Sequence, residues 1–152
     1  MPFANAAELP RPTGPVILTI TGKISHTNDG NKANFDLAML EALGTTETFT
    51  ETPWTKELGQ FEGPLARTLM AYVGATGTEI TVRALNDYVS TVPVTDFLDH
   101  DVILATRRDG KIMHVRDMGP FYITYPFTDN PKLLNEVNLS RSVWQLREMT
   151  VR

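Results

Sequence analysis

The chain has 152 residues, room for one domain with a sizeable core, and its 14 basic against 18 acidic side chains leave a net charge of −4. With Arg107-Arg108 the only basic pair, that balance speaks against a nucleic-acid footprint, which needs a basic stripe to displace counterions. The absence of cysteine removes zinc–thiolate sites, redox disulfides, iron–sulfur clusters and cysteine nucleophiles together, and no apolar run approaches the length that spans a bilayer.

Residues 1–15 hold four of the ten prolines and read as an extended leader to a domain over 16–152. The start has neither the basic region nor the apolar core of an intact signal peptide, and it equally suits a mature secreted chain behind an added Met1. Residues 16–21 (Val-Ile-Leu-Thr-Ile-Thr) are β-branched and apolar, which predicts a strand closed by Gly22. Asn28-Asp29-Gly30-Asn31 reads as a turn. Asp36 is positioned as the N-cap of a short helix over 37–43, stopped by Gly44. Residues 45–52 are rich in threonine and read as extended.

Gly63-Pro64-Leu65 opens a second helix, with Pro64 suited to its first position; Leu65, Leu69, Tyr72 and Val73 share a face, and Gly74 ends it. Strands are expected over 78–84, 89–94 and 102–107. Asp109-Gly110 is a strong hairpin signal, with a return strand over 112–115. Residues 121–125 form a further strand, a long loop runs from 126 to about 138, one helical turn falls within 142–146, and a last strand lies near 149–151. Strands outnumber helices without alternating with them, which favours an α+β fold with a mixed, mostly antiparallel sheet.

The chemistry legible in single residues is uncharged and dispersed. No Gly-rich phosphate loop or nucleophile elbow is present. His26, His100 and His114 lack ligand spacing, and Asp99 and Asp101 beside His100 read as a solvated bend. Asn86-Asp87-Tyr88 joins two expected strands, where a loop can present polar side chains; the same residue types also make an ordinary turn. Trp54 and Trp144 lie near loops. Arg116-Asp117 reads either as part of a site or as a surface ion pair, and Ser140-Arg141 either as site residues or as a cap. Together these groups suit a flat polar heterocycle. Aromatic rings offer stacking worth about 1–3 kcal/mol per base in the nucleic-acid analogue, and a carboxylate such as Asp87 accepts two parallel hydrogen bonds from an amino group and a ring N–H.

One ordered set of segments sharpens this. Phe61-Glu62-Gly63-Pro64-Leu65, Ala84-Leu85-Asn86-Asp87-Tyr88, Leu104-Ala105-Thr106-Arg107, Asp109-Gly110-Lys111, Gly119-Pro120, Tyr125-Pro126 and Ser142-Val143-Trp144-Gln145-Leu146 occur in the order in which the chain resembles the molybdopterin-binding domain of the sulfite-oxidase family. The resemblance implies that fold, a mixed and mostly antiparallel sheet or barrel with a few short helices. It also implies where this chain departs. The molybdenum-ligating cysteine of the family falls in the region 48–52, with Thr50 at the equivalent place, and a hydroxyl is a poor substitute for a thiolate at a soft site. Tyr122 stands where an arginine commonly follows the Gly-Pro pair, and Trp144 and Gln145 replace the family's lysine and tryptophan.

Loss of the thiolate and of two positive charges disfavours an anionic metal cofactor and leaves a neutral pterin well served. This short form resembles periplasmic pterin-binding proteins that act as adaptors for membrane-bound enzymes making or degrading cyclic-di-GMP. The resemblance therefore implies a non-enzymatic periplasmic sensor or adaptor, with a cytoplasmic location the alternative. Its ligand is a pterin (a tetrahydropterin, or one like neopterin or monapterin), its partner the periplasmic domain of such an enzyme, and it neither binds nucleic acid nor inserts into the membrane. Asp87, helped by Asn86, would pair with the pyrimidine edge. Trp144 with Trp54 or Tyr88 would stack, while Arg116 (beside Asp117), Ser140 and Arg141 would donate to heteroatoms. No residue is assigned to catalysis or to a metal. Two other readings stay open: an oxidoreductase, or a subunit of one, that still carries molybdopterin, and an interaction module without a ligand.

Overall fold

The computed structural model describes residues 9–52 and 58–152. In chain order the elements are β1 (Leu18–Gly22), β2 (Ala33–Phe35), α1 (Leu37–Glu41), β3 (Thr46–Thr50), β4 (Gly59–Gly63), α2 (Ala66–Tyr72), β5 (Glu79–Ala84) and β6 (Val89–Pro93). They continue with α3 (Val94–Asp99), β7 (Ile103–Ala105), β8 (Arg107–Arg108), β9 (Lys111–Ile112), β10 (Tyr122–Thr124), α4 (Glu136–Arg141) and β11 (Leu146–Val151). The architecture is α+β, mostly sheet with short helices. Among the described residues the strands form three sheets and no closed barrel, so the barrel alternative is corrected.

The largest sheet has the order β2-β1-β11-β5-β6. Only β1 and β11 run parallel within it. Leu18 and Ile20 of β1 and Ile80 and Val82 of β5 point to one buried face, while the threonines and charged residues between them take the other, as the two-residue period of a strand demands. The second sheet has the order β3-β4-β8-β9, and β7 pairs with β10 alone. Irregular bonds join these two: Thr106 N donates to Glu62 O at 2.8 Å and Leu104 N to Pro64 O at 2.9 Å. A Cβ at Gly63 would overlap the Leu104 carbonyl, so this close crossing needs glycine.

Strands β7 and β10 are buried at every residue, the pattern of a strand covered on both faces. Their alternate side chains serve two cores. Leu104 and Ile123 join the main core with Leu40 of α1, Leu69 of α2 and Phe97 of α3. Ile103, Ala105 and Tyr122 join a smaller cluster with Phe61 and Met113. Each such fully buried apolar side chain stabilises the fold by roughly 1.5–3 kcal/mol relative to exposure.

Local signals set several boundaries as the sequence predicts. Asp36 caps α1, its Oδ1 accepting from Met39 N at 2.8 Å. Its Oδ2 accepts from Gly14 N at 2.9 Å and Thr13 N at 3.0 Å. These bonds, that from Gly14 foremost, hold its carboxyl below the usual carboxylate range. Residues 13 and 14 of the leader are thereby tied to the domain, and Leu9 belongs to the core. Asp109 and Gly110 both take positive φ (52° and 80°), the left-handed pair that a two-residue hairpin turn requires, and Arg108 pairs with Lys111 across it.

Other boundaries differ. Pro64 does not start α2; Leu65 is its N-cap, and Pro64 offers its carbonyl to Leu104 instead. The strand expected over 89–94 stops at Pro93, whose φ of −65° leads into α3. The return strand of the hairpin ends at Ile112, and Val115 enters a short 3-10 turn, Val115–Asp117. Strands β2 and β4, not predicted, are held by pairing partners distant in sequence. The helix near the C-terminus begins inside the stretch read as a loop and runs past its expected end: Asn135 caps it, accepting from Asn138 N at 2.8 Å. Residues 142–145 are not helical, and Gln145, at φ 54°, turns the chain into β11.

Candidate functional site

Three segments enclose a cleft of about 370 Å³. The β5–β6 turn supplies Asn86 and Tyr88, with Ala84 at its base. The end of α4 supplies Leu139 and Ser140. The link into β11 supplies Ser142, Val143 and Trp144. Among the described residues, Tyr88 carries the only ionisable side chain in this lining.

The turn is fixed by its own chemistry. Ala84 N donates to Tyr88 O at 2.9 Å and Asp87 N to Ala84 O at 3.0 Å, while Asn86 Oδ1 accepts from Tyr88 N at 3.1 Å, the side-chain mimic of a turn that asparagine favours. Asp87 takes a left-handed φ of 68°, which aspartate tolerates better than most residues. Consecutive side chains therefore diverge. Asn86 and Tyr88 line the cleft, whereas Asp87 Oδ1 accepts from Arg147 Nη2 at 2.9 Å and lies 3.7 Å from Arg83 Nη1. Arg83 also faces Glu148 at 3.6 Å, so Asp87 belongs to a charged patch on the strands. Asp87 is thus not among the residues that line the cleft.

The opposite wall is equally determined. Val143 O accepts from Ile123 N at 2.9 Å, Leu146 N donates to Phe121 O at 3.2 Å, and Gln145 N donates to Met118 O at 2.9 Å. These bonds pin the link between α4 and β11, leaving Trp144 half-buried, packed on the smaller core cluster while also walling the cleft. Tyr88 Oη reaches across to donate to Ser140 O at 2.9 Å. Turn and helix end are thus joined directly.

Of the residues singled out from sequence, Asn86, Tyr88, Ser140 and Trp144 come together here. Arg141 does not. Its guanidinium donates to Asp96 Oδ2 at 3.0 Å, the same oxygen that accepts from Tyr125 Oη at 2.8 Å. Arg141 and Asp96 are only 23% and 17% exposed. Burial, and next the bond to Asp96, pushes the Tyr125 phenol far up. Arg116 is 87% exposed and pairs loosely with Asp117 at 4.0 Å; neither lines the cleft. Trp54 lies outside the described residues.

Thr50 is also apart from the cleft lining. It is fully buried, its hydroxyl donating to Glu51 O at 3.0 Å and accepting from Thr128 N at 3.2 Å. Molybdenum is poorly served by such a hydroxyl, already engaged and lacking a thiolate's softness. Tyr122 is buried edge-on to Phe61 at 5.6 Å. Burial raises its phenol despite a hydrogen bond with Thr52, and the ring belongs to the smaller core cluster. Among the described residues no group of three or more histidine and carboxylate side chains is arranged to hold a metal ion.

Sequence reasoning did not single out Ala84, Leu139, Ser142 or Val143 as lining residues. Ser142 and Val143 stood in the closing motif, but their role depends on α4, whose only local signal was Asn135 followed by Glu136. Fold and site together describe an α+β domain with a cleft at a turn–helix junction that is aromatic-walled and, among the described residues, uncharged. The sequence matches no protein-family model, and no curated protein matches it either.

Proposed function

We propose that this domain binds a pterin in the cleft between Tyr88 and Trp144 and performs no bond chemistry on it. The observation that carries the reading is the lining itself: among the described residues it is an indole and a phenol ring beside a carboxamide and two hydroxyls, without a carboxylate or a cation, in a volume of about 370 Å³. A neutral bicyclic ring gains stacking there and forfeits no charge pairing. An anionic, metal-bearing cofactor would meet no counter-charge among the described lining residues. Asn86 rather than Asp87 is then the residue for the polar edge of the ring.

The ordered sequence segments support a wider proposal: a sulfite-oxidase-type fold turned to sensing, periplasmic in location. Its pterin-bound form would engage the periplasmic domain of a membrane-bound cyclic-di-GMP enzyme. Such an adaptor works only where the partner discriminates between the loaded and empty states, because a ligand shifts an equilibrium by its differential affinity alone. Among the described residues no helix is long and apolar enough to cross a membrane.

Calorimetric titration with oxidised and reduced pterins tests the reading, together with mass spectrometry of small molecules released from natively purified protein. Saturable binding that Trp144→Ala weakens is expected. A wild-type protein that ignores every pterin offered and releases none overturns it, and stoichiometric molybdenum would replace it with an oxidoreductase.

A further inference from the structure

We infer that the cleft recognises its ligand through N–H groups on the ligand, and so selects an amino-bearing heterocycle over its oxygen-substituted counterpart. This rests on the reading above in taking a flat heterocycle as the occupant.

The argument begins with how α4 ends. The last carbonyls of a helix lack partners within it, and no glycine follows Arg141 to fold the chain back over them. Hydroxyl groups do that work here. Ser140 Oγ donates to Val137 O at 2.6 Å, and Ser142 Oγ donates to Asn138 O at 2.8 Å. Tyr88 Oη, from across the cleft, donates to Ser140 O at 2.9 Å. The backbone cannot take over the second of these bonds, because Ser142 N already serves Leu139 O at 3.2 Å.

A hydroxyl owns one proton and two lone pairs. All three protons are spent on main-chain carbonyls, which can only accept. All three oxygens belong to residues lining the cleft, and toward a ligand they are left as acceptors. Turning the Ser142 or Tyr88 proton to a ligand would strand a carbonyl at the end of α4. Asn86 is the complement: its Oδ1 is occupied by Tyr88 N, which leaves its amide N–H groups as donors at the rim. The hydroxyl wall therefore asks for ligand N–H groups, and a lone-pair-bearing substituent facing it meets another lone pair.

Two matched pairs test this by calorimetry on the full chain: pterin against lumazine, where a 2-amino group becomes a 2-oxo group, and 2-aminoquinoxaline against 2-methoxyquinoxaline. The amino member of each pair is expected to bind roughly tenfold more tightly, about the worth of one hydrogen bond. Ser140→Ala and Tyr88→Phe, checked for native circular dichroism, should each shrink that ratio toward one, since each removes an acceptor. Three outcomes overturn the inference: equal or tighter binding of the oxygen-bearing members, a ratio unchanged in both variants, or no binding by either pair. Preference within the quinoxaline pair while both pteridines stay silent upholds it and removes the pterin reading. Equal binding of pterin and lumazine does the reverse.

Discussion

The two sides of the turn–helix junction use the same kinds of residue in opposite ways. On the cleft side, Asn86, Tyr88, Ser140 and Trp144 present rings and neutral dipoles. One residue along from two of them, Asp87 and Arg141 turn away into ion pairs with Arg147 and Asp96. The charges flanking the cleft are thus spent on holding its walls: Asp87 anchors the turn to β11, and Arg141 anchors α4 to α3. Among the described residues, what remains between the walls is neutral. A site can lose its charged contacts to the scaffold and still keep its shape, and its selectivity then rests on stacking and on the direction of hydrogen bonds.

Breaking the scaffold side should cost most. Asp96→Ala leaves the Arg141 guanidinium with a lost partner in a mostly buried setting and is expected to lower stability by about 3 kcal/mol, read from urea unfolding followed by circular dichroism. Next, Trp144→Ala removes a cleft wall and should weaken pterin binding by about 1–3 kcal/mol, roughly fivefold to 150-fold, measured by calorimetry. An acid titration separates a third contribution, from the opposite end of the main sheet. The folded carboxyl of Asp36 is held below its ordinary range by backbone N–H groups. Its contribution is therefore present above the unfolded pKa and is lost as the pH falls below about 4 through the folded value. Asp36→Asn should flatten that acid limb in urea midpoints recorded against pH.

The smallest effect sharpens the contrast most. Asp87→Asn keeps a residue that accepts positive φ and removes only exposed ion pairs, so stability should change by under about 1 kcal/mol and pterin affinity by less than about twofold. A large loss of affinity in that variant would show that Asp87 leaves Arg147 to meet the ligand, and the division between the two sides would collapse.

The elements read most readily from sequence are those whose causes are local. Asp36 caps its helix through a residue three places on, and Asp109-Gly110 makes its turn from its own two backbone angles. Strand β1 announces itself through β-branched residues. The elements that escaped owe their form to distant partners: β2 exists because β1 pairs with it, and β4 because β3 and β8 flank it. Helix α4 is six residues long, too short to print a clear period on its sequence.

The candidate site divides along the same line. Residue types alone proposed a polar turn at 86–88, an indole at 144 and hydroxyls near 140, and these meet in one cleft. Sequence determined that this protein has no thiolate to offer, little positive charge to spare, and a small set of aromatic and amide groups suited to a neutral ring. Only the tertiary structure decided which way each side chain faces, sending Asp87 and Arg141 to partners 60 and 45 residues away. Side-chain direction depends on backbone angles and on competing partners brought near by folding, and neither is written in the spacing of residues along a chain.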